Sequence, residues 1–190
     1  MPKQRVTVGA LTSAAIVVAD HEGFETLTLN GVAAELDVAA STLYSHTDGL
    51  DGLKTLVAVA GTRNLTEAVR NAAVGTSGLN ALTAMATAYR TFALDHPGQF
   101  ASTLLPPRSD LDELATANTT LMDVFVLVYR AIGLTDQDAR LAARAMRSAI
   151  HGFLALQRTH VSPSDHDAEY RYLLDALQRG LLNPTDQAED

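Results

Sequence analysis

Ser41, Thr42, Tyr44, Ser45 and His46 place five hydrogen-bonding side chains around a single large apolar residue, Leu43. Side chains of these types suit the reading of base edges and phosphates in a DNA major groove. Catalysis asks for more than such a cluster supplies. The chain has no His-Glu-x-x-His pair, no phosphate-cradling glycine loop and no nucleophile elbow, so an enzyme is not expected. His160 and His166, with Asp165 and Asp167, are the nearest approach to a metal-ligand set. Their Ser-Pro-Ser neighbourhood reads as a solvated loop, and neither metal nor cofactor is expected.

A groove-reading segment must be held by its neighbours. Thr28 can cap a short helix with Leu29, Val32, Ala33 and Leu36 on its apolar face, and Ala33 is small enough to let a second helix pass close. Asp37 then sits where the chain must turn, a place for a residue that tolerates the left-handed region. Val38 plugs the corner. A second helix over 39–46 would turn Leu43 inward and Ser41, Thr42, Tyr44 and His46 outward, the layout of a helix-turn-helix. Lys3 and Arg5 could add a phosphate or minor-groove arm, although a frayed terminus explains them as well.

At these residues the chain resembles the tetracycline-repressor (TetR) family of bacterial transcription regulators. Thr28, Val32, Ala33, Val38 and the run Thr42-Leu43-Tyr44-x-His46 carry the resemblance, which is strongest over Leu11 to Leu53. A fainter likeness covers Tyr89 to Phe100 and Ile150-His151-Gly152-Phe153, where a subfamily often has Trp-His-Gly; here Ile150 replaces the Trp. The chain also departs from the family. Asn30, Ala40 and Leu50 stand where basic residues are common, and Ala39 where a capping Ser is common, a change expected to cost roughly 1 kcal/mol. By this resemblance Thr28, Asn30, Ala40, Ser41, Thr42, Tyr44, Ser45, His46 and Lys54, with Lys3 and Arg5, form the expected DNA-binding set.

Charge bears on that expectation. The whole chain of 190 residues carries a net −8, which argues against a protein that coats nucleic acid generally. Through Lys54 only Lys3, Arg5 and Lys54 are basic, against Asp20, Glu22, Glu25, Glu35, Asp37, Asp48 and Asp51, three against seven and a balance of −4. Because phosphate neutralisation supplies most non-specific affinity, weak binding or a shallow salt dependence is expected. An alternative follows: a helical, small-molecule-binding homodimer with degenerate DNA recognition.

Composition rich in Ala and Leu, with no Cys, predicts an all-α chain without disulfides, compatible with the cytoplasm. No apolar run is long enough for a membrane span. Lys3 and Arg5 ahead of Val6 to Ala19 imitate a secretory signal, but Leu11, Ala14, Ala15, Val18 and Ala19 follow helical spacing into the DNA-binding unit. Helices are expected over 7–21, 50–73, 79–95, 99–105, 110–132, 136–160 and 165–182, with a disordered tail from Asn183 to Asp190. Residues 1–50 would be the DNA-binding domain and 51–190 the ligand-binding and dimerisation domain.

The resemblance further implies a ligand cavity bordered by Tyr89, Phe92, Phe100, Leu104, Leu121, Phe125, Tyr129, Met146 and His151. Core packing accounts for most of them singly; as a set they suit a largely apolar effector, with His151 and Tyr129 as polar handles. Arg140, Arg144 and Arg147 read as a solvated or salt-bridging face. Ala142, Ala145, Ala149, Gly152 and Leu156 make a small-residue stripe, and Tyr170, Leu173, Leu174, Leu177 and Leu181 an apolar one. Paired about a two-fold axis, the two stripes would build a four-helix homodimer interface that lets two reading segments reach successive half-sites of an operator.

Overall fold

The structure, a computed structural model, describes residues 6–109, 112–158 and 165–182. Among them the order is α1 (Val8–Glu22), α2 (Leu29–Glu35), a 3₁₀ segment (Ala40–Ser45), α3 (Gly49–Ala73), α4 (Gly78–Asp95), α5 (Pro97–Ser102), α6 (Glu113–Ala131), α7 (Asp136–Gln157) and α8 (His166–Leu182). The all-α class is as expected, and the described residues form no strand. Two compact units emerge: Met1–Glu67 with Phe92–Leu121, and Ala68–Thr91 with Met122–Asp190. Lys3, Arg5, His160 and the tail from Asn183 lie outside the described residues, as does the Leu181 side chain.

In the first unit, α1 begins where the Thr7 hydroxyl accepts the Ala10 N–H at 3.1 Å. It ends at Gly23, whose positive φ of 106° and N–H bond to the Ala19 carbonyl at 2.9 Å turn the chain away. Its inward stripe, Leu11, Ala14, Ala15, Val18 and Ala19, packs with Phe24, Leu27, Val32, Ala33, Leu43, Leu53 and Val57 into one core. Apolar spacing of three and four residues along each helix brings these side chains to that centre.

α5 is built differently from expectation. α4 ends at Asp95 as expected, but the next helix, expected over 99–105, runs Pro97–Ser102, with Pro97 in its first turn, where its missing N–H costs nothing. Gly98 lets α5 approach α1 backbone to backbone, since a Cβ there would overlap the Ala19 carbonyl. The Asp20 carboxylate closes the contact by accepting the Gln99 backbone N–H at 2.8 Å and its side-chain amide at 2.7 Å. From Gln99 the chain of bonds continues to α3, where Asn64 donates to Oε1 at 2.7 Å.

The second unit packs α4, α6, α7 and α8 through Leu82, Met85, Ala86, Tyr89, Phe125, Tyr129, Ala139, Ala142, Met146, Ile150, Leu154, Tyr170 and Leu174, all buried. Thr135 caps α7 by accepting the Asp138 N–H at 3.2 Å. Two polar bonds pin α8 to α4: the Tyr170 hydroxyl donates to the Ala86 carbonyl at 2.7 Å, and Gln178 donates to the Thr83 hydroxyl at 2.9 Å.

Candidate nucleic-acid interface and ligand chamber

The candidate reading face begins at α2, whose first turn is capped by the Thr28 hydroxyl accepting the Gly31 N–H at 3.1 Å. After Leu36 the chain turns on Asp37, the one non-glycine described residue with positive φ, 52°. The Val38 N–H closes the corner onto the Ala33 carbonyl at 3.0 Å, and Val38 packs against the core.

The segment that follows is not the α-helix expected over 39–46. Ala39 offers no side-chain cap, and Ala40–Ser45 takes the tighter 3₁₀ path, its end marked by the His46 N–H bonding the Leu43 carbonyl at 2.9 Å. A short, uncapped run gains little from α-helical bonding that must first be nucleated. The tighter turn changes which side chains share a face, because residues three apart eclipse in a 3₁₀ helix. Ala40, Leu43 and His46 therefore fall on the inner side, where Leu43 is fully buried and Ala40 packs on the core. Ala40 and His46, both expected to face DNA, are half-buried here and present less to a groove than their neighbours. Ser41 with Tyr44, and Thr42 with Ser45, form two outward pairs, Tyr44 being 63% exposed. The Ser45 hydroxyl donates to the Thr42 carbonyl at 2.8 Å, leaving its oxygen as an acceptor.

Positive charge near this face is already engaged. Lys54 was expected to meet DNA, but its ammonium lies 3.1 Å from Glu25 and 5.1 Å from the Phe24 ring centre, with the side chain only 19% exposed. A neighbouring carboxylate and an aromatic face both engage that ammonium. Asn30 and Leu50 are exposed and uncharged. Arg108 stands 3.5 Å from Asp51 in the first turn of α3, and Arg63 2.7 Å from Glu113.

Within the second unit, Tyr89 meets both Phe125 and His151. The Tyr89 hydroxyl is 2.7 Å from His151 Nε2; the Tyr89 ring lies 5.6 Å from the imidazole edge-on and 6.4 Å from Phe125. Burial pushes His151 down to about 4, and the Arg147 guanidinium adds to that shift. Burial pushes Tyr89 up to about 12, against the opposing pull of the same Arg147. Between a neutral imidazole and a phenol that keeps its proton the direction follows the tautomer: with the ring proton on Nδ1, Tyr89 donates to Nε2. Arg147, read from sequence as part of a solvated or salt-bridging face, instead attends this pair. Its spacing of four from His151 on α7 was the available signal.

Tyr129, one turn along α6 from Phe125, is buried with a hydroxyl that has no hydrogen-bond partner, and desolvation raises its pKa. Met146 is buried in the same unit. Phe92, Phe100 and Leu121 are buried and belong to the first unit. Leu104, expected to border the cavity, is 63% exposed, since it follows the last turn of α5 where the chain bends outward. Of the other histidine cluster, His166 pairs with Glu169 at 3.2 Å and Asp167 holds Arg90 at 2.6 Å.

The two stripes expected to pair between protomers divide. Ala142, Tyr170 and Leu174 are buried within the chain itself, where α7 and α8 pack on the rest of their unit, and leave the expected interface set. Ala145, Ala149, Leu173 and Leu177 are half-buried, and Gly152 and Leu156 are exposed. Beside Leu156 a groove of about 570 Å³ runs along Phe153, Ala168 and Tyr172. No described helix is long and apolar enough to cross a membrane.

Residues 82–177 match the family profile described as "Tetracyclin repressor-like, C-terminal domain". The chain is 29% identical over 187 residues to the HTH-type transcriptional regulator Rv0681 of Mycobacterium tuberculosis, covering 97% of this chain and 84% of that one. It is 26% identical over 155 residues to the HTH-type regulator YobS of Bacillus subtilis, covering 82% and 81%. Its fold matches a Rhodococcus sp. RHA1 protein of unknown function with a TM-score of 0.76 at 22% identity, covering 95% of this chain and 98% of that one. A TetR variant from Acinetobacter baumannii, solved with minocycline, matches with a TM-score of 0.72 at 18% identity over 94% and 97%. With a family profile spanning half its length and a helix-turn-helix built on Thr28, Asp37 and Leu43, the chain belongs to the TetR family of transcriptional regulators and not to a family of enzymes.

Proposed function

We propose that this regulator is a ligand-responsive repressor that binds a palindromic operator as a homodimer in the cytoplasm and is released by a largely apolar small molecule. The observation that carries the DNA reading is the outward display of Ser41 with Tyr44 and Thr42 with Ser45, while Leu43 anchors the same segment in the core. Four hydroxyls on a rigid base can read base edges and hold phosphates. Thr28, Asn30 and the arm bearing Lys3 and Arg5 complete the proposed contacts. Residues to about 50 would serve DNA and the remainder ligand and dimer.

Tyr129 and the Tyr89–His151 pair are the proposed polar handles for the effector, within the apolar company of Phe125 and Met146. A buried hydroxyl without a partner loses roughly 1–3 kcal/mol, and a ligand acceptor would restore it. The effector would favour a dimer geometry whose reading segments no longer match the half-site spacing. The shift it produces equals its differential affinity for the two geometries.

Selection of bound sequences from a random DNA pool, with the mass of the complex measured alongside, tests this reading. Enrichment of a palindrome bound by a dimer supports it, and Thr42→Ala or Tyr44→Ala should then weaken operator binding while leaving the dimer intact. A specific observation favours a second reading, a helical binding dimer with degenerate DNA recognition: each described cation of the first unit, Lys54, Arg63 and Arg108, faces a carboxylate. No enrichment from a folded dimer would select it.

A further inference from the structure

We infer that Arg108 is a DNA-backbone contact of this regulator, parked on Asp51 until a phosphate replaces that carboxylate. This rests on the proposed DNA reading. The first unit must find cations for phosphate from a small stock, and geometry separates its three described candidates. Lys54 is held twice, by Glu25 and by the Phe24 ring, with little exposure. Arg63 lies twelve residues beyond Asp51 on α3, which at 1.5 Å per residue places its backbone roughly 18 Å along the helix axis. Its bond to Glu113, at 2.7 Å, is also short.

Arg108 differs in all three respects. Its side chain is 64% exposed, and its guanidinium is 3.5 Å from Asp51, itself 81% exposed. An ion pair so solvated contributes only about 0–1 kcal/mol, so exchange for another anion is cheap. Asp51 lies in the first turn of α3, which starts four residues after the 3₁₀ segment ends. A short connection keeps that turn beside whatever the reading segment enters, and groove walls are lines of phosphates.

The base of the side chain is fixed although its tip is not. Asp112 Oδ2 accepts the Arg108 and Ser109 backbone N–H groups at 2.7 and 3.3 Å, and its other oxygen accepts the Ala115 N–H at 2.7 Å. These bonds hold the Asp112 carboxyl below its ordinary pKa, the Ala115 N–H contributing most. Leu105, three residues earlier, packs on the unit's core. A guanidinium on a fixed stem suits the fork geometry of a phosphate. Leu50 supplies no charge at the start of α3; Arg108 brings one there from the loop before α6.

The test is binding of the full chain to a random-sequence 24-base-pair duplex across a salt series, for wild type, Arg108→Ala, Arg108→Lys, Asp51→Asn and the double variant Asp51→Asn with Arg108→Ala. Helicity and oligomeric mass are checked for each. Removing one phosphate contact should weaken binding about tenfold at 50 mM salt and make the logarithmic salt slope shallower by about 1. Arg108→Lys should restore the slope, and Arg108→Ala should cost more in the Asp51→Asn background, where the guanidinium is no longer held. Wild-type binding with a measurable slope that Arg108→Ala leaves unchanged would overturn the inference and leave the DNA reading standing. Absence of wild-type binding even at low salt would sink both.

Discussion

Asp20 and Gln99, 79 positions apart, are joined twice: one carboxylate oxygen accepts the Gln99 backbone N–H and the other accepts its side-chain amide. The first bond satisfies an otherwise orphaned N–H in the first turn of α5, and the second orients an amide whose oxygen accepts a hydrogen bond from the Asn64 side chain. Three helices of the first unit, α1, α3 and α5, thereby share one polar thread in a region where Gln99 is almost wholly buried.

Asp20→Ala should therefore destabilise the protein by roughly 2–3 kcal/mol, the loss of two charge-assisted bonds together with a buried amide left unsatisfied. Asp20→Asn should recover only part of it. One side-chain oxygen can still meet the backbone N–H, but the new amide would point donor to donor at Gln99, which cannot flip without losing Asn64. Urea denaturation midpoints of the three proteins decide this, and equal stability of wild type and Asp20→Ala would show the thread to be dispensable.

Gly98→Ala should be worse. Its Cβ would overlap the Ala19 carbonyl, and backbone meeting backbone leaves no flexible side chain to move aside. We expect a loss above about 3 kcal/mol, or failure to fold. Gly9→Ala is the matched control in the same unit, exposed on α1 with only the Thr7 hydroxyl nearby at 3.9 Å. There the gain in helix propensity should stabilise by about 0.5–1 kcal/mol. Thermal melts of both variants against wild type measure the contrast.

Burial of His151 predicts a pH dependence with a definite sign. At pH 7 the imidazole is neutral in the folded chain and mostly neutral in the unfolded one, so it contributes little difference. As pH falls from 6.5 toward about 4, the unfolded chain takes up a proton that the folded chain, held beside Arg147 and Tyr89, refuses. Stability must fall across that window, by at most roughly 3 kcal/mol from this group. In His151→Gln, where an amide oxygen can still accept the Tyr89 hydroxyl, that component should vanish. Denaturation of both proteins at pH 7 and pH 4.5 isolates it, because the carboxylates common to both cancel in the difference.

Local chemistry made much of the reading unit legible from sequence. Thr28 caps, Asp37 turns and Leu43 anchors because each acts on backbone or core within a few residues of itself. The 3₁₀ path was harder to foresee, since an uncapped six-residue run lies near the balance between two helix types, and Ala40 changed sides with it. Contacts distant in sequence left no trace at all: nothing near Gly98 announces Ala19, and nothing near Lys54 announces Glu25. The apolar stripes were seen but their partners were not. Periodicity reports that a helix face is covered, without saying whether the cover is the same chain or another copy, and so Ala142, Tyr170 and Leu174 were assigned outward when they pack inward.

What remains exposed on α7 and α8 carries the dimer proposal in a sharper form. Gly152 has no neighbour near its missing Cβ, Leu156 is 60% exposed and Tyr172 is 75% exposed, so this face keeps apolar surface in water. Association about a two-fold axis would cover it, and Leu156→Arg would set two guanidinium groups into that contact. Sedimentation should then give a dimer for wild type and a monomer of unchanged helicity for Leu156→Arg. Leu127→Arg is the control, on α6 and equally exposed at 63%. It should leave the dimer whole. A dimer that survives Leu156→Arg but not Leu127→Arg would move the interface from α7 to α6, and with it the proposed spacing of the two reading segments.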